Sequence, residues 1–147
     1  MILEIILALA GLFGIFWSIR SKQIIPTIIT LGMVVGIIFV LYPPEWNADA
    51  GFYVYLFFTL VAMLYGLIIR GPGLYQRLVI VLMALPVFLH WLFVMNHWPG
   101  NTTLLMILPV IVFIAGLFHA RKFRNEMGFL VILFADAVTV LLEQWVF

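Results

Sequence analysis

Residues 2–41 read ILEIILALAGLFGIFWSI, RSKQ and IIPTIITLGMVVGIIFVL, which are two apolar runs joined by a basic turn. A helix of about 20 residues crosses the hydrocarbon core of a bilayer, which is about 30 Å thick. Each run is therefore long enough for one crossing. Basic loops stay on the cytoplasmic side of a membrane. This stretch predicts two transmembrane helices that are connected on the inside.

The same unit recurs along the chain, because its seven Lys and Arg residues form three clusters about fifty residues apart. The clusters are Arg20 and Lys22, then Arg70 and Arg77, then Arg121, Lys122 and Arg124. The apolar stretch between two clusters is interrupted once, by a turn without Lys or Arg, so it holds two crossings. We predict an all-α, polytopic transmembrane helical bundle with six spans and both termini outside. One membrane domain fills residues 1–147, with spans at about 2–19, 24–41, 52–69, 78–96, 103–120 and 128–146.

The composition leaves room for little besides these spans. Hydrophobic residues make up 67% of the 147 residues, charged residues make up 9%, and the mean hydropathy is +1.28. Soluble domains contain about 45–50% apolar and about 25% charged residues. A soluble catalytic, nucleotide-binding or DNA-binding domain is therefore excluded, and no nucleic acid partner is expected. Without cysteine, the chain has no disulfides, no thiolate catalysis and no sulfur ligands for metals.

Aromatic side chains support the same orientation, because Trp and Tyr concentrate at both membrane–water interfaces. At the predicted outer boundary are Trp46, Trp98 and Trp145, with Tyr42, Tyr53 and Tyr55 close by. At the predicted inner boundary are Trp17, Tyr65 and Tyr75. We expect these side chains to anchor the helix ends in the two interfaces.

Small residues mark helix faces that can approach one another closely. Gly32 and Gly36 form a GxxxG pattern in the second span, and Ala10 and Gly14 have the same spacing in the first. The contact of Gly32 and Gly36 can be with another helix of the chain or with a second copy of it. In so apolar a helix, the pattern can also have no special role.

Asp136 is the most unusual residue of the chain, because it lies about 15 Å inside the sixth span by helical rise. A charged Asp at the centre of a membrane costs roughly 2.5–3.5 kcal/mol on insertion scales. Asp136 should therefore face protein or water and have a polar partner. Thr139 and Glu143 follow at i+3 and i+7, so the three residues form a polar stripe that runs toward the outer surface.

The fourth span offers a partner for this stripe. His90 and His97 are seven residues apart and share a helix face, and His90 lies within about one turn of the depth of Asp136. A contact between Asp136 and His90 is therefore geometrically allowed.

Three hypotheses follow for these polar residues. The first is a half-pathway for protons or cations from the outside to mid-membrane, built from Asp136, Glu143, His90 and His97. The second is a buried polar clamp, in which Asp136 accepts hydrogen bonds from Trp, His or Thr and fixes helix packing. The third is a contact between Asp136 and a partner subunit. Glu143 taken alone can also be an interfacial acid that extends to water.

The histidines are not spaced for a metal or haem. His90 and His97 are two helical turns apart, or about 10 Å, which is too far for one ion. His119 lies at the inner end of the fifth span, away from both. The sequence has no HExxH motif and no acid cluster. We expect no cofactor and no metal, and in the absence of a nucleophile–base set we do not expect an enzyme.

The segment Phe93-Val94-Met95-Asn96-His97-Trp98-Pro99-Gly100-Asn101 resembles a hairpin of bacterial gliding-motility and type 9 secretion motor membrane subunits. In that family, a Met-His-Trp-Pro-Gly-like turn joins two transmembrane helices. Those helices drive rotation with proton motive force and a buried carboxylate. The resemblance covers about residues 78–118 and implies a bacterial inner-membrane protein. The family's carboxylate has no counterpart in this hairpin, because residues 103–120 contain no acid and Asp136 lies one helix later.

Tiny loops, the lack of a substrate-sized polar constellation and a lone mid-membrane acid favour an accessory or scaffold subunit of a larger membrane complex. The alternative is an ion- or proton-coupled transport or motor component that uses Asp136. The expected partners are the lipid bilayer and either other membrane subunits or further copies of the chain.

Overall fold

The computed structural model describes residues 1–69 and 73–146, and within these ranges the chain is helical, without β-strands. The α-helices are α1 (Ile2–Ser21), α2 (Ile24–Leu41), α3 (Ala50–Ile68), α4 (Leu74–Met95), α5 (Ile107–Leu117) and α6 (Met127–Trp145). Two short 3-10 helices, Thr103–Met106 and Ala120–Phe123, flank α5. The prediction of an all-α helical bundle is confirmed. The predicted basic turn at residues 70–72 lies outside the described residues.

Five of these helices are long and apolar enough to cross a membrane by length and composition. They are α1, α2, α3, α4 and α6, which have 18 to 22 residues each. The structure is therefore that of a multi-pass helical membrane protein. The predicted bounds of these five helices differ from the observed ones by four residues at most.

The fifth helix is shorter than the predicted span of residues 103–120. The 3-10 helix Thr103–Met106 and α5 together are about 24 Å long, less than the thickness of a bilayer core. Pro109 is the third residue of α5. In the first turn of an α-helix, the N–H groups have no helical acceptor, so proline costs no hydrogen bond there. At the other end, Gly116 weakens the helix, and the His119 N–H bonds to the Gly116 carbonyl oxygen in a tight turn.

Each helix packs against the next one in the chain, and α1 packs against α6, so the bundle is closed. The most enclosed helix is α6, which also packs against α2 and α4. Ten of its 19 residues are buried, whereas four of the 20 residues of α1 are buried. Exposed apolar side chains such as Leu9, Leu12 and Phe16 cover the outer face of α1, as contact with lipid requires.

Small residues bring α1 and α6 together. A Cβ atom added at Gly128 would lie 3.0 Å from the Gly14 carbonyl oxygen and 2.8 Å from the Ser18 Oγ. A Cβ atom added at Gly14 would lie 3.1 Å from the Gly128 carbonyl oxygen. The small residues of α1, including Ala10 and Gly14, are therefore buried in a close contact with neighbouring helices of the same chain.

The GxxxG pattern of α2 faces α3. A Cβ atom added at Gly36 would lie 2.8 Å from the backbone nitrogen of Tyr55, and one added at Gly32 would collide with the ring of Phe58. The structure thus places both glycines in a contact within one chain. This contact fixes the height of Tyr55 relative to α2.

The two ends of the bundle differ in their residues. The basic end carries the described Lys and Arg residues, namely Arg20, Lys22, Arg77, Arg121, Lys122 and Arg124. The tryptophan end carries Trp46, Trp98 and Trp145. At the basic end, the Trp17 indole N–H donates to the Arg124 carbonyl oxygen at 2.5 Å, and the Gln76 side-chain amide donates to the Lys122 carbonyl oxygen. These bonds tie the ends of α1 and α4 to the turn that precedes α6.

Candidate functional site

Asp136 lies at the middle of α6, nine residues from either end, or about 13 Å by helical rise. Its side chain is buried, with 3% of the residue surface exposed. The Tyr55 hydroxyl donates to Asp136 Oδ2 at 3.1 Å, and the Trp91 indole N–H donates to the same oxygen at 2.8 Å. Asp136 therefore joins α3, α4 and α6, and its other oxygen, Oδ1, takes no part in these two bonds.

The predicted contact between Asp136 and His90 is not formed. Trp91, the next residue of α4, occupies that place, and His90 Nδ1 instead lies 3.0 Å from Thr102 Oγ1. Successive residues of a helix point about 100° apart, so when one of the two faces Asp136 the other turns away. The partner of Asp136 thus lies on α4 as predicted, but it is Trp91 and not His90.

A cavity of about 350 Å³ connects Asp136 with the tryptophan end. Its walls come from the start of α1 and α3, the end of α2, and the second half of α6. The polar side chains that line it are Glu4, Tyr55, Trp91, Asp136, Thr139 and Glu143. Glu4 and Glu143 are exposed, whereas Asp136 is buried. The cavity therefore leads from solvent-exposed carboxylates to one in the middle of the bundle.

Thr139 lines this cavity, but its hydroxyl hydrogen is bonded to a backbone carbonyl. It donates to the Asp136 carbonyl oxygen at 2.8 Å within the same helix. The Thr139 oxygen can still accept a hydrogen bond from whatever occupies the cavity.

The remaining predicted residues lie around neighbouring cavities. A space of about 500 Å³ is lined by His90, Trp91, Thr103 and Glu143, among others. Trp91 and Glu143 line both this space and the cavity at Asp136, so Trp91 forms a shared wall. His97 lines a third space of about 220 Å³ together with Asp49. The structure thus places Asp136, Thr139 and Glu143 together, puts His90 behind Trp91, and leaves His97 apart.

A second tyrosine–carboxylate pair lies at the basic end. The Tyr65 hydroxyl donates to Glu126 Oε1 at 3.1 Å. Glu126 directly precedes α6 and is buried, with 5% of its surface exposed, and burial raises the pKa of its carboxyl group above the usual value. Tyr55 and Tyr65 are ten residues apart, as are Glu126 and Asp136, so the two pairs show that α3 and α6 run antiparallel.

Sequence reasoning missed Tyr55, Trp91, Tyr65 and Glu126. Tyr55 was expected in the outer interface, but it is 5% exposed and faces the core. Glu126 follows the basic turn and looks like an ordinary loop acid. A usable signal was the equal spacing of two tyrosines and two acids on helices that were predicted to be antiparallel.

The side chains of the site can exchange protons, form hydrogen bonds and attract cations. Among residues 1–69 and 73–146, no group of three or more His, Asp or Glu side chains is arranged to hold a metal ion. Comparisons with known protein families, curated proteins and solved structures find no match to this chain.

Proposed function

We propose that the protein is a proton- or cation-conducting subunit of a larger membrane complex and that its cavity forms the outer half of the pathway. The observation that carries this proposal is the cavity of about 350 Å³ between the exposed Glu4 and Glu143 and the buried Asp136. Carboxylates that line a low-dielectric cleft concentrate cations within it. An ionisable residue inside a membrane marks an ion or proton path by default.

The two sides of the Asp136 carboxylate have different tasks in this proposal. Tyr55 and Trp91 hold Oδ2 and fix the orientation of the group. Oδ1 is the oxygen that accepts a proton or contacts a cation from the cavity. Charged hydrogen-bonded groups in a dry interior are held more firmly than in water, so the carboxylate stays in place while its charge is exchanged.

The pathway ends at Asp136. On the side toward the basic end, α6 presents Leu133, Ile132 and Phe129, which are fully buried apolar side chains. A proton or ion at Asp136 therefore needs either a rearrangement of the bundle or a partner subunit to continue. This is why we propose a component of a complex, in line with the resemblance of residues 93–101 to motor subunits.

The second candidate is the accessory or scaffold subunit without transport. The hydrogen bonds from Tyr55 and Trp91 favour it, because they also describe a clamp that joins three helices. One argument for this candidate is weaker, since the buried Asp136 already has two hydrogen-bond donors within its own chain.

An Asp136→Asn variant separates the two candidates. The amide oxygen of Asn still accepts from Tyr55 and Trp91, but the side chain no longer exchanges a proton or carries charge. In liposomes, alone and together with co-purifying subunits, we expect loss of proton or monovalent cation flux at unchanged assembly. Unchanged flux together with loss of a co-purifying partner would support the scaffold instead. Asp49→Asn, the same change at an exposed carboxylate that does not line this cavity, is the matched control.

We further propose that the basic end faces the cytoplasm of a bacterial cell and that the protein lies in the inner membrane. The chain has no cysteine, so single cysteines can be added as labels. Gln23→Cys at the basic end and Ala48→Cys at the other end are both exposed. In intact cells, a membrane-impermeant maleimide should label position 48 and not position 23. Labelling of position 23 from outside would reverse or refute the orientation.

A further inference from the structure

A separate cavity, of about 260 Å³, lies at the basic end between α1 and the turn that precedes α6. It is lined by Trp17, Arg20, Ser21 and Arg124. Arg20 comes from the last turn of α1, and Arg124 follows the 3-10 helix Ala120–Phe123. Two arginines from distant parts of the chain thus line one space. This site is separate from the cavity at Asp136, and nothing in the proposed function uses it.

The two arginines carry uncompensated charge. Among the described residues, no carboxylate oxygen lies within 4.0 Å of either guanidinium group. The ion pair that these residues do form joins the Met1 amino group to Glu4, at the opposite end of α1. Guanidinium groups bind phosphate through paired, charge-assisted hydrogen bonds. The cavity therefore has the charge and the donors for a phosphate group.

The backbone and an aromatic pair hold the site in shape. The Trp17 indole N–H donates to the Arg124 carbonyl oxygen at 2.5 Å, which fixes the turn against α1. Trp17 also stacks on Phe13, with ring centroids 5.6 Å apart. The Ser21 hydroxyl donates to the Ser18 carbonyl oxygen at 3.0 Å, so its own oxygen remains an acceptor for a donor on the ligand.

An apolar strip continues from the cavity toward the middle of α1. Phe13 and Phe16 are 40% and 63% exposed, and they lie on α1 between the cavity and the centre of the helix. A ligand with a phosphate at the helix end and an acyl chain along this strip would satisfy both surfaces at once. Basic pockets between transmembrane helices on the cytoplasmic side bind the headgroups of anionic lipids.

We propose that this cavity binds the headgroup of an anionic glycerophospholipid, with its phosphate between Arg20 and Arg124 and an acyl chain along Phe13 and Phe16. A headgroup that carries hydroxyl donors, as phosphatidylglycerol does, also suits the acceptor at Ser21. Topology alone does not require this arrangement. A positive charge anywhere in the loop satisfies the positive-inside rule, and Arg121 in the same cluster does so without lining the cavity.

Native mass spectrometry of the delipidated full-length protein tests the proposal. Phosphatidylglycerol and phosphatidylcholine with the same acyl chains are titrated against the wild type, the R20Q/R124Q double variant and R121Q. We expect one phosphatidylglycerol to bind about tenfold more tightly than phosphatidylcholine, and this preference to be lost in the double variant. R121Q removes the same kind of charge from the same cluster and should bind like the wild type.

Three results would overturn the proposal. The first is equal affinity of the wild type for the two lipids, which also decides the matter if the double variant does not fold. The second is an equal loss in R121Q, which would show a diffuse electrostatic effect. The third is displacement of the lipid by millimolar inorganic phosphate, which would show a site for the free anion. Helix content by circular dichroism monitors the folding of each variant.

Discussion

The two tyrosine–carboxylate pairs between α3 and α6 use the same chemical groups in different surroundings. Tyr55 and Asp136 meet in the middle of the bundle, where Trp91 adds a second hydrogen bond and a cavity reaches the carboxylate. Tyr65 and Glu126 meet at the basic end, with Tyr65 only partly buried. The Tyr55–Asp136 pair can thus stabilise a charge in the middle of the bundle. The Tyr65–Glu126 pair joins α3 to the start of α6 and fixes how the two helices align. Depth and access decide the role, and the residue types do not.

The two pairs should differ most in the free energy of unfolding that is lost when each acid is replaced by leucine. Asp136→Leu leaves the Tyr55 hydroxyl and the Trp91 N–H without an acceptor in an apolar interior, and should lower the free energy of unfolding by about 2–4 kcal/mol. Glu126→Leu leaves one half-buried hydroxyl and should cost about 1 kcal/mol. Denaturation in detergent measures both. An equal or smaller loss at Asp136 would show that the central clamp is not stabilising.

The next contrast concerns the close contact that positions Tyr55. Gly36→Ala puts a Cβ atom 2.8 Å from the Tyr55 backbone nitrogen, so α2 and α3 must move apart. We expect a loss of about 1–3 kcal/mol in unfolding free energy. Gly11→Ala is the matched control, because its nearest neighbour lies 3.6 Å away, in ordinary contact. A difference of less than a few tenths of a kcal/mol between the variants would contradict the close α2–α3 packing.

A smaller difference in unfolding free energy is expected between the Phe variants of Tyr55 and Tyr65. Tyr55→Phe removes one of the two donors to Asp136 and should cost about 1 kcal/mol, near the middle of the range for hydrogen bonds inside membranes. Tyr65→Phe should cost no more than about half of that, because Tyr65 is only partly buried and its hydrogen bond forms in a more polar environment. The ratio of the two losses, measured by the same denaturation assay, tests whether burial distinguishes the pairs. Equal losses would remove that distinction.

The smallest effect is the pH dependence at the basic end. Burial raises the pKa of Glu126 above its usual value of 4.5, so the folded state holds this proton more tightly than the unfolded state does. The resulting stabilisation is complete below the unfolded pKa and is lost as pH rises through the folded pKa. Glu126→Gln should make the melting temperature of the protein depend less on pH at and above the usual pKa of Glu. An unaltered pH profile in the variant would assign that dependence to other groups.

The number and approximate bounds of the helices could be predicted from the sequence, because both follow from apolar length and the position of the turns. The rotation of one helix relative to another could not. Whether His90 or Trp91 faces Asp136 depends on about 100° of rotation, which is set by packing around Ala84 and Val87 rather than by any local pattern. The shorter α5 follows instead from local residues, because Pro109 lies in its first turn and Gly116 near its end, and a span bound set by apolar length ignores both.

The contact between α1 and α6 has a consequence for how the protein is made. The ribosome delivers α6 after the five other helices, and yet α6 is the one they enclose. Until it enters the bilayer, Gly14 of α1 has no partner at Gly128, and the bundle stays open on that side. Assembly during translation must therefore pass through a five-helix intermediate that exposes its interior to lipid, and a stalled or truncated chain would remain in that form.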